Sequence, residues 1–266
     1  MTFLTQLHAR QDEFDTLVCV GLDPAPGIVG PELEAFLRQT VDATAEYACC
    51  FKPQFAHFAA RAAEPELERI IRYIQDRNIP VILDAKRGDV GSTAVMYARE
   101  VFERYGADAV TLNPYLGHDS LQPYLDYEDR GCIVLCRTSN PGGSELQNLT
   151  FAGGETLFER VARLAATAWN THANVLLVVG ATAPTELARI REIVGSMTLL
   201  LPGLGTQGGD VAAAVAAGAG GGLIMSASRS ILYAGSGQDA FLAAATAARQ
   251  LRDEINDQRL VLAASG

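Results

Sequence analysis

Val81-Ile82-Leu83-Asp84-Ala85-Lys86-Arg87-Gly88-Asp89-Val90-Gly91-Ser92-Thr93 passes from an apolar run through a cluster of charges into a helical pattern. Val81 to Leu83 follows Pro80 and is apolar and β-branched, which predicts a short buried strand. Asp84 and Lys86 are two residues apart, so in an extended chain their side chains share a face. Asp89 follows Gly88, where the chain must turn. Beyond it Val95, Met96 and Phe102 are interleaved with Arg99, Glu103 and Arg104 at helical spacing. Three charges therefore stand at the C-terminal lip of a buried strand. Unpaired charges there are expensive, so they must pair with one another or with a ligand. The plain alternative is a salt-bridged lip that only fixes the strand-to-helix turn.

The same strand-to-helix unit recurs on both sides. Apolar runs at Leu17 to Leu22, Cys49 to Phe51, Val81 to Leu83, Ala109 to Leu112, Cys132 to Cys136, Val175 to Val179, Leu199 to Leu201 and Gly222 to Met225 read as eight strands. Helical spacing covers Glu32 to Ala48, Pro65 to Arg77, Ser92 to Tyr105, Leu121 to Asp129, Glu155 to Trp169, Pro184 to Val194, Asp210 to Ala217 and Ala240 to Ile255. Pro184 and Glu186 are ordinary helix-start signals. Glu100 and Arg104 read as an exposed i,i+4 pair worth about 0.2–0.5 kcal/mol. Alternation of this kind implies a parallel sheet covered by helices. Eight units in 266 residues predict one (β/α)8 barrel domain spanning 1–266, with a doubly wound open sheet as the alternative. No linker, low-complexity tract or further repeat interrupts the rhythm. Asn140 to Gly154 is the longest non-periodic segment, a lid or a surface decoration.

Composition narrows the classes. Hydrophobic residues make up 48% and charged residues 20%, enough for a sizeable core. The net charge of −10 argues against nucleic acid and against anionic membranes as partners. An anionic ligand would need a local basic site within that acidic background. No run is long enough to span a bilayer and no signal peptide is visible; Met1 to Phe14 reads as an amphipathic helix, so a cytoplasmic protein is expected. The five cysteines are odd in number and lack a Cys-x-x-Cys spacing, which suits reduced, buried thiols. The four histidines are scattered, so no metal site is expected.

In a parallel barrel, chemistry collects at the C-terminal ends of strands. Those ends read Gly21-Leu22-Asp23-Pro24, Phe51-Lys52-Pro53, the Asp84/Lys86/Asp89 cluster, Asn113-Pro114, Arg137-Thr138-Ser139-Asn140-Pro141, Pro202-Gly203-Leu204-Gly205 and Ser226-Ala227-Ser228-Arg229. Gly180-Ala181-Thr182, after strand six, offers little. Lys52 alone would pass as a solvated charge. It gains weight because a barrel places it beside Asp84, Lys86 and Asp89, and alternating charges stabilise one another in a water-poor pocket.

Gly203-Leu204-Gly205-Thr206-Gln207-Gly208 matches G-x-G-x-x-G, which permits a dinucleotide-binding reading. That reading expects an acidic residue about 20 residues later, where the chain has Met225-Ser226-Ala227-Ser228-Arg229 instead. Glycines after strand seven and Ser-x-Ser-Arg after strand eight suit a phosphate site. Backbone N–H groups at a helix start would receive the anion and Arg229 would grip it as a planar fork. The alternative for Arg229 is a salt bridge to the C-terminal helix.

Asp-x-Lys-x-x-Asp-Val-Gly-x-Thr, filled here by Asp84, Lys86, Asp89, Val90, Gly91 and Thr93, resembles the signature of the orotidine 5′-monophosphate decarboxylases. The fuller Asp-Ala-Lys-Arg-Gly-Asp is similar to the bacterial subgroup with somewhat longer chains. The resemblance runs in order from Asp23 to Arg229. It implies a (β/α)8 barrel, a cofactor-independent decarboxylation yielding UMP, and a catalytic tetrad of Lys52, Asp84, Lys86 and Asp89. It further implies that Asp23 binds the ribose, Ser139 the pyrimidine, and Gln207 and Arg229 the phosphate, with Pro202 and Ser228 lining the substrate. It implies a homodimer in which Asp89 and Thr93 reach the neighbouring subunit's site. Loss of CO2 from the pyrimidine C6 leaves a vinylic carbanion with no electron sink. No pyridoxal phosphate, thiamine or metal signature is visible, so electrostatics are expected to supply the barrier reduction. Two other readings are a related phosphosugar decarboxylase or aldolase on the same barrel, usually Mg2+-dependent, and a non-catalytic nucleotide-binding protein.

Overall fold

The computed structural model describes residues 1–25, 32–204 and 209–265. Eight parallel strands form its centre: β1 (Val18–Leu22), β2 (Cys50–Pro53), β3 (Ile82–Arg87), β4 (Ala109–Leu112), β5 (Gly131–Arg137), β6 (Val175–Val179), β7 (Leu199–Pro202) and β8 (Leu223–Ala227). They neighbour one another in the order β2-β1-β8-β7-β6-β5-β4-β3. The two end strands meet through parallel bridges between Phe51 and Val81 and between Gln54 and Asp84. The sheet thus closes on itself into the predicted barrel, and the open-sheet alternative falls because its two end strands pair with each other.

Side-chain alternation explains both the continuous apolar runs and the placement of the polar groups. Cys19, Cys50, Ile82, Ala109, Ile133, Leu176, Leu200 and Ile224 fill the barrel interior, while Val18, Val20, Val81, Leu83, Val110, Val134, Leu177 and Leu201 face the helices. Both faces of each strand are buried, so the runs carry no polar alternation. Helix α1 (Phe3–Phe14) closes the N-terminal end of the barrel: Phe3 and Leu7 join the interior cluster, and a β-carbon at Gly131 would collide with the Phe3 ring. All five cysteines are free and buried. Among the described residues no helix is long and apolar enough to cross a membrane.

The outer layer comprises α2 (Leu33–Thr44), α3 (Phe55–Ala59), α4 (Glu64–Gln75), α5 (Gly91–Arg99), α6 (His118–Leu125), α7 (Gly143–Gln147), α8 (Leu157–Ala166), α9 (Pro184–Val194), α10 (Val211–Gly218), α11 (Arg229–Leu232) and α12 (Ala240–Ser265). Each predicted helix has its counterpart, with α12 running past the expected end at Ile255. The short α3, α7 and α11 escape a periodicity search because each is five residues or fewer. The Asn140 to Gly154 segment is built rather than structureless: it holds α7, and the Gln147 amide bonds back to Thr138.

Glu100 and Arg104 do not form the expected pair. Glu100–Arg104 is a π-helical turn after α5, in which the Tyr105 N–H reaches back five residues to Glu100 O at 3.0 Å. That turn breaks the 3.6-residue register. Glu100 instead receives Arg87 from β3 at 2.6 Å, and Arg104 lies over the Tyr105 ring.

Candidate active site

The alternation that points Cys50, Ile82, Ala109 and Ile224 inward does the same for Lys52, Asp84, Thr111 and Ser226 two residues later. These four cap the apolar interior with polar groups. Asp84 is their hub. Lys52 Nζ donates to its Oδ2 at 2.8 Å, Lys86 Nζ to its Oδ1 at 2.6 Å, and Thr111 Oγ1 to the same Oδ1 at 2.8 Å. Lys52 and Asp84 are buried, with side chains 7% and 10% exposed, whereas the Lys86 side chain is 46% exposed toward the pocket. Burial pushes the Asp84 carboxyl upward, but the Lys52 and Lys86 charges and their hydrogen bonds outweigh it and hold the acid well below the usual carboxylate range. Burial opposes the Lys52 charge in turn, and Asp84 and Asp23 overcome it, raising the ammonium above its ordinary value. Within the hub itself, two ammonium groups on one carboxylate leave a net single positive charge, with Asp23 close enough to act on Lys52.

β3 does not end at Leu83 as expected but continues to Arg87, so Asp84 and Lys86 lie within the strand. It is not a regular strand there: Lys86 has φ +47°. Asp84 and Lys86 meet through this distortion rather than through the common face of an extended chain.

A pocket of about 480 Å3 opens above the hub, within the range of small-molecule sites. Asp23, Ser139, Pro202, Ser228 and Arg229 line it beside the Lys52, Asp84 and Lys86 cluster. Asp23 Oδ1 and Ser228 Oγ are buried without a hydrogen-bond partner among the described residues. Such groups are costly to leave unmet and mark where a polar ligand would bind. Arg229 is exposed at the rim, and among the described residues no acid lies within ion-pair distance of it. The start of α10 is already capped, since Asp210 accepts the Ala213 N–H at 3.0 Å. Among the described residues, Ser228 and Arg229, at the start of α11, line this side of the pocket. Two glycines admit close approaches here. A β-carbon at Gly21 would stand 2.7 Å from Ser228 Cβ, and one at Gly180 would stand 2.8 Å from the Ser139 backbone. Gly180 is thus what strand six contributes.

Asp89 and Thr93 do not join this pocket. Asp89 Oδ1 accepts the N–H of Val90, no described basic group pairs with it, and Thr93 is exposed on the outside of α5. Gln207 lies outside the described residues. Thr111, inside the run read as strand four, escapes a reading that starts beyond the last apolar residue, and Ser226, expected after strand eight in Ser-x-Ser-Arg, lies buried within β8 instead. The inward alternation from Ala109 to Thr111 and from Ile224 to Ser226 was the available signal.

Residues 16–244 match the model of the orotidine 5′-phosphate decarboxylase / HUMPS family. An orotidine 5′-phosphate decarboxylase of Azoarcus sp. is 56% identical, with 97% of this chain and 100% of that protein covered. One from Aromatoleum aromaticum is 55% identical over 97% of this chain and 100% of its own length. The structure of Leishmania donovani OMP decarboxylase superposes with a TM-score of 0.87 at 38% identity, covering 98% of this chain and 99% of that one. With the barrel, the lysine–aspartate hub and near-complete coverage in agreement, the chain belongs to the orotidine 5′-phosphate decarboxylase / HUMPS family.

Proposed function

We propose that this chain carries out its reaction, the decarboxylation of orotidine 5′-monophosphate to UMP in pyrimidine biosynthesis, by electrostatic means, with Lys86 as the proton donor. The observation that carries this mechanism is the Lys86 ammonium, 2.6 Å from Asp84 and open to the pocket. The C6–carboxylate bond breaks, CO2 leaves, and its bonding electron pair stays on C6. The Lys86 ammonium stabilises that charge as it develops and passes one N–H proton to C6. The neutral amine then recovers a proton from water. Enzymes of ordinary proficiency lower barriers by about 8–23 kcal/mol, and fixed charges in a water-poor site are the largest common source. Asp84 faces the substrate carboxylate, whose departure relieves the repulsion, while Lys52 keeps Asp84 ionised and in place.

Ser139 reads the pyrimidine, Asp23 the ribose, and Ser228, Arg229 and Gln207 the phosphate, with Pro202 against the ligand. The Asp23 and Ser228 oxygens, unmet among the described residues, and the rim guanidinium, unpaired among them, support this assignment. Binding energy from the phosphate, far from C6, can be used to close the site over the reacting carbon. Asp89 and Thr93 act in the site of a second copy of the chain, which makes a homodimer with shared sites. Their position outside this chain's pocket supports that reading. So do the exposed apolar neighbours Val90, Val95 and Met96, at 52%, 40% and 61% exposure. The chain folds as one unit, since α1 and α12 both pack on the same barrel, and its free, buried thiols fit the reducing cytoplasm.

The test is turnover of orotidine 5′-monophosphate by the purified protein and by Lys86→Ala. The variant is expected to lose turnover while still binding UMP. A Lys86→Ala protein that keeps more than a small fraction of wild-type kcat would remove Lys86 from the role of donor. Turnover that EDTA abolishes would favour a metal-dependent reaction instead.

A further inference from the structure

Lys86 has no regular place in its strand. Its φ of +47° is a conformation that non-glycine residues keep only where their surroundings over-determine it. The register between β3 and β4 locates the distortion. Leu83 pairs with Val110 and Arg87 with Leu112, so an advance of four residues on β3 is matched by two on β4. A bulge of this kind leaves ladder groups without a partner opposite. The Lys86 N–H finds a side chain instead, donating to Thr111 Oγ1 at 3.0 Å. The Thr111 hydroxyl directs its single proton to Asp84 Oδ1 at 2.8 Å, the oxygen that also receives Lys86 Nζ. Thr111 is 1% exposed, so water does not compete for either bond. Just beyond Lys86 the chain is held again. The Asn113 N–H donates to Arg87 O at 2.8 Å, and the Arg87 guanidinium lies against the Phe55 and Tyr97 rings while donating to Glu100.

We propose that Thr111 is a positioning residue for the decarboxylation: its hydroxyl ties the left-handed backbone of Lys86 and the Asp84 carboxylate into one frame, which aims the ammonium before substrate arrives. This rests on the reading of Lys86 as proton donor. A lysine tip on a four-carbon stem, nearly half exposed, has many orientations available. Thr111 removes most of them by fixing both the root of the side chain and the carboxylate that receives its tip. Valine would match the shape and supply neither bond. Serine would supply both bonds and lose only the methyl group.

The experiment compares Thr111→Val and Thr111→Ser with wild type in kcat, KM, affinity for UMP and thermal unfolding, with Lys86→Ala alongside. Misplacing a catalytic group by about 1 Å can cost on the order of 100-fold. Thr111→Val is therefore expected to lose roughly 10- to 100-fold in kcat, with KM and UMP affinity within about threefold of wild type. Thr111→Ser is expected to stay within about fivefold of wild-type kcat. A Thr111→Val protein with wild-type kcat overturns the proposal. So does a serine variant as impaired as the valine one, or a UMP affinity that falls in step with kcat, either of which makes Thr111 merely structural. Turnover retained by Lys86→Ala would sink the donor reading itself. An inactive Lys86→Ala beside a fully active Thr111→Val sinks only the positioning role. Should Thr111→Val fail to fold, Thr111→Ala against Thr111→Ser makes the same comparison of hydroxyl present and absent.

Discussion

Replacing Asp84 with asparagine keeps the shape of the hub and removes its only negative charge. Lys52, with a side chain 7% exposed, is then a buried cation that has lost its hydrogen-bonded counter-charge. Unit charges 2.8 Å apart attract by roughly 6 kcal/mol at an effective dielectric of about 20. Removing one partner of a buried pair destabilises by about 3–5 kcal/mol, and the two figures agree in scale. Lys86 adds little, because it can turn outward to water. For a chain of this length the loss corresponds to a fall in Tm of roughly 6–10 °C.

The pH dependence has a definite sign. Asp84 has a folded pKa below its unfolded value, so its contribution is present above about pH 4 and fades as pH falls through that value toward the folded one. The stability gap between wild type and Asp84→Asn should therefore be widest near neutrality and narrow below about pH 4. On the alkaline side, burial is the largest influence on Lys52, and Asp84→Asn removes the largest of the charges that oppose it. The folded Lys52 pKa is then lower in Asp84→Asn than in wild type, so the stability gap between the two should narrow as pH rises above about 10, where the unfolded lysine loses its proton. Urea unfolding at fixed protein concentration, followed by the fluorescence of the single, buried Trp169, reads all of this. An unchanged midpoint at neutral pH, or a gap that widens toward pH 3, would refute the reasoning. The double variant Lys52→Met/Asp84→Leu should recover to within about 1 kcal/mol of wild type and remain inactive, because the pair serves chemistry rather than stability.

Arg229→Ala should raise KM for the nucleotide by roughly 10- to 100-fold, the value of a charge-assisted contact of about 1.5–3 kcal/mol, and change little for a substrate lacking the phosphate; equal losses on both substrates would make Arg229 structural. Gly180→Ala should displace the Ser139 backbone, which stands 2.8 Å from the new β-carbon, and raise KM without lowering Tm by more than about 5 °C; unaltered kinetics would show that Ser139 has room to move. Asp89→Ala and Lys86→Ala proteins, each nearly inactive, should regain roughly a quarter of wild-type activity when unfolded, mixed and refolded, since half of randomly paired dimers then carry one intact site. No recovery, with heterodimers seen by native mass spectrometry, would place Asp89 in its own chain's site.

Much of this molecule could be read before it folded. Strand and helix runs are local facts of spacing, and parallel strands buried on both faces announce themselves as unbroken apolar runs. The Asp84-Ala85-Lys86-Arg87-Gly88-Asp89 stretch pointed to the chemistry through its resemblance to a family signature, while the cost of unpaired charges at a strand end said only that they need partners. Lys52 could be joined to it once a barrel was assumed. What the sequence could not decide was geometry set by neighbours distant along the chain. The left-handed backbone at Lys86 depends on β4, whose Thr111 lies 25 positions on. Glu100 gave up the local partner that helical spacing assigns it for Arg87 on β3, because a π turn altered the register. Gly180 carries no chemistry of its own, and its value is the space it leaves for Ser139. Spacing along one element follows from the repeat of that element alone. Which groups meet across elements follows from how the sheet closes, and closure is a property of the whole barrel.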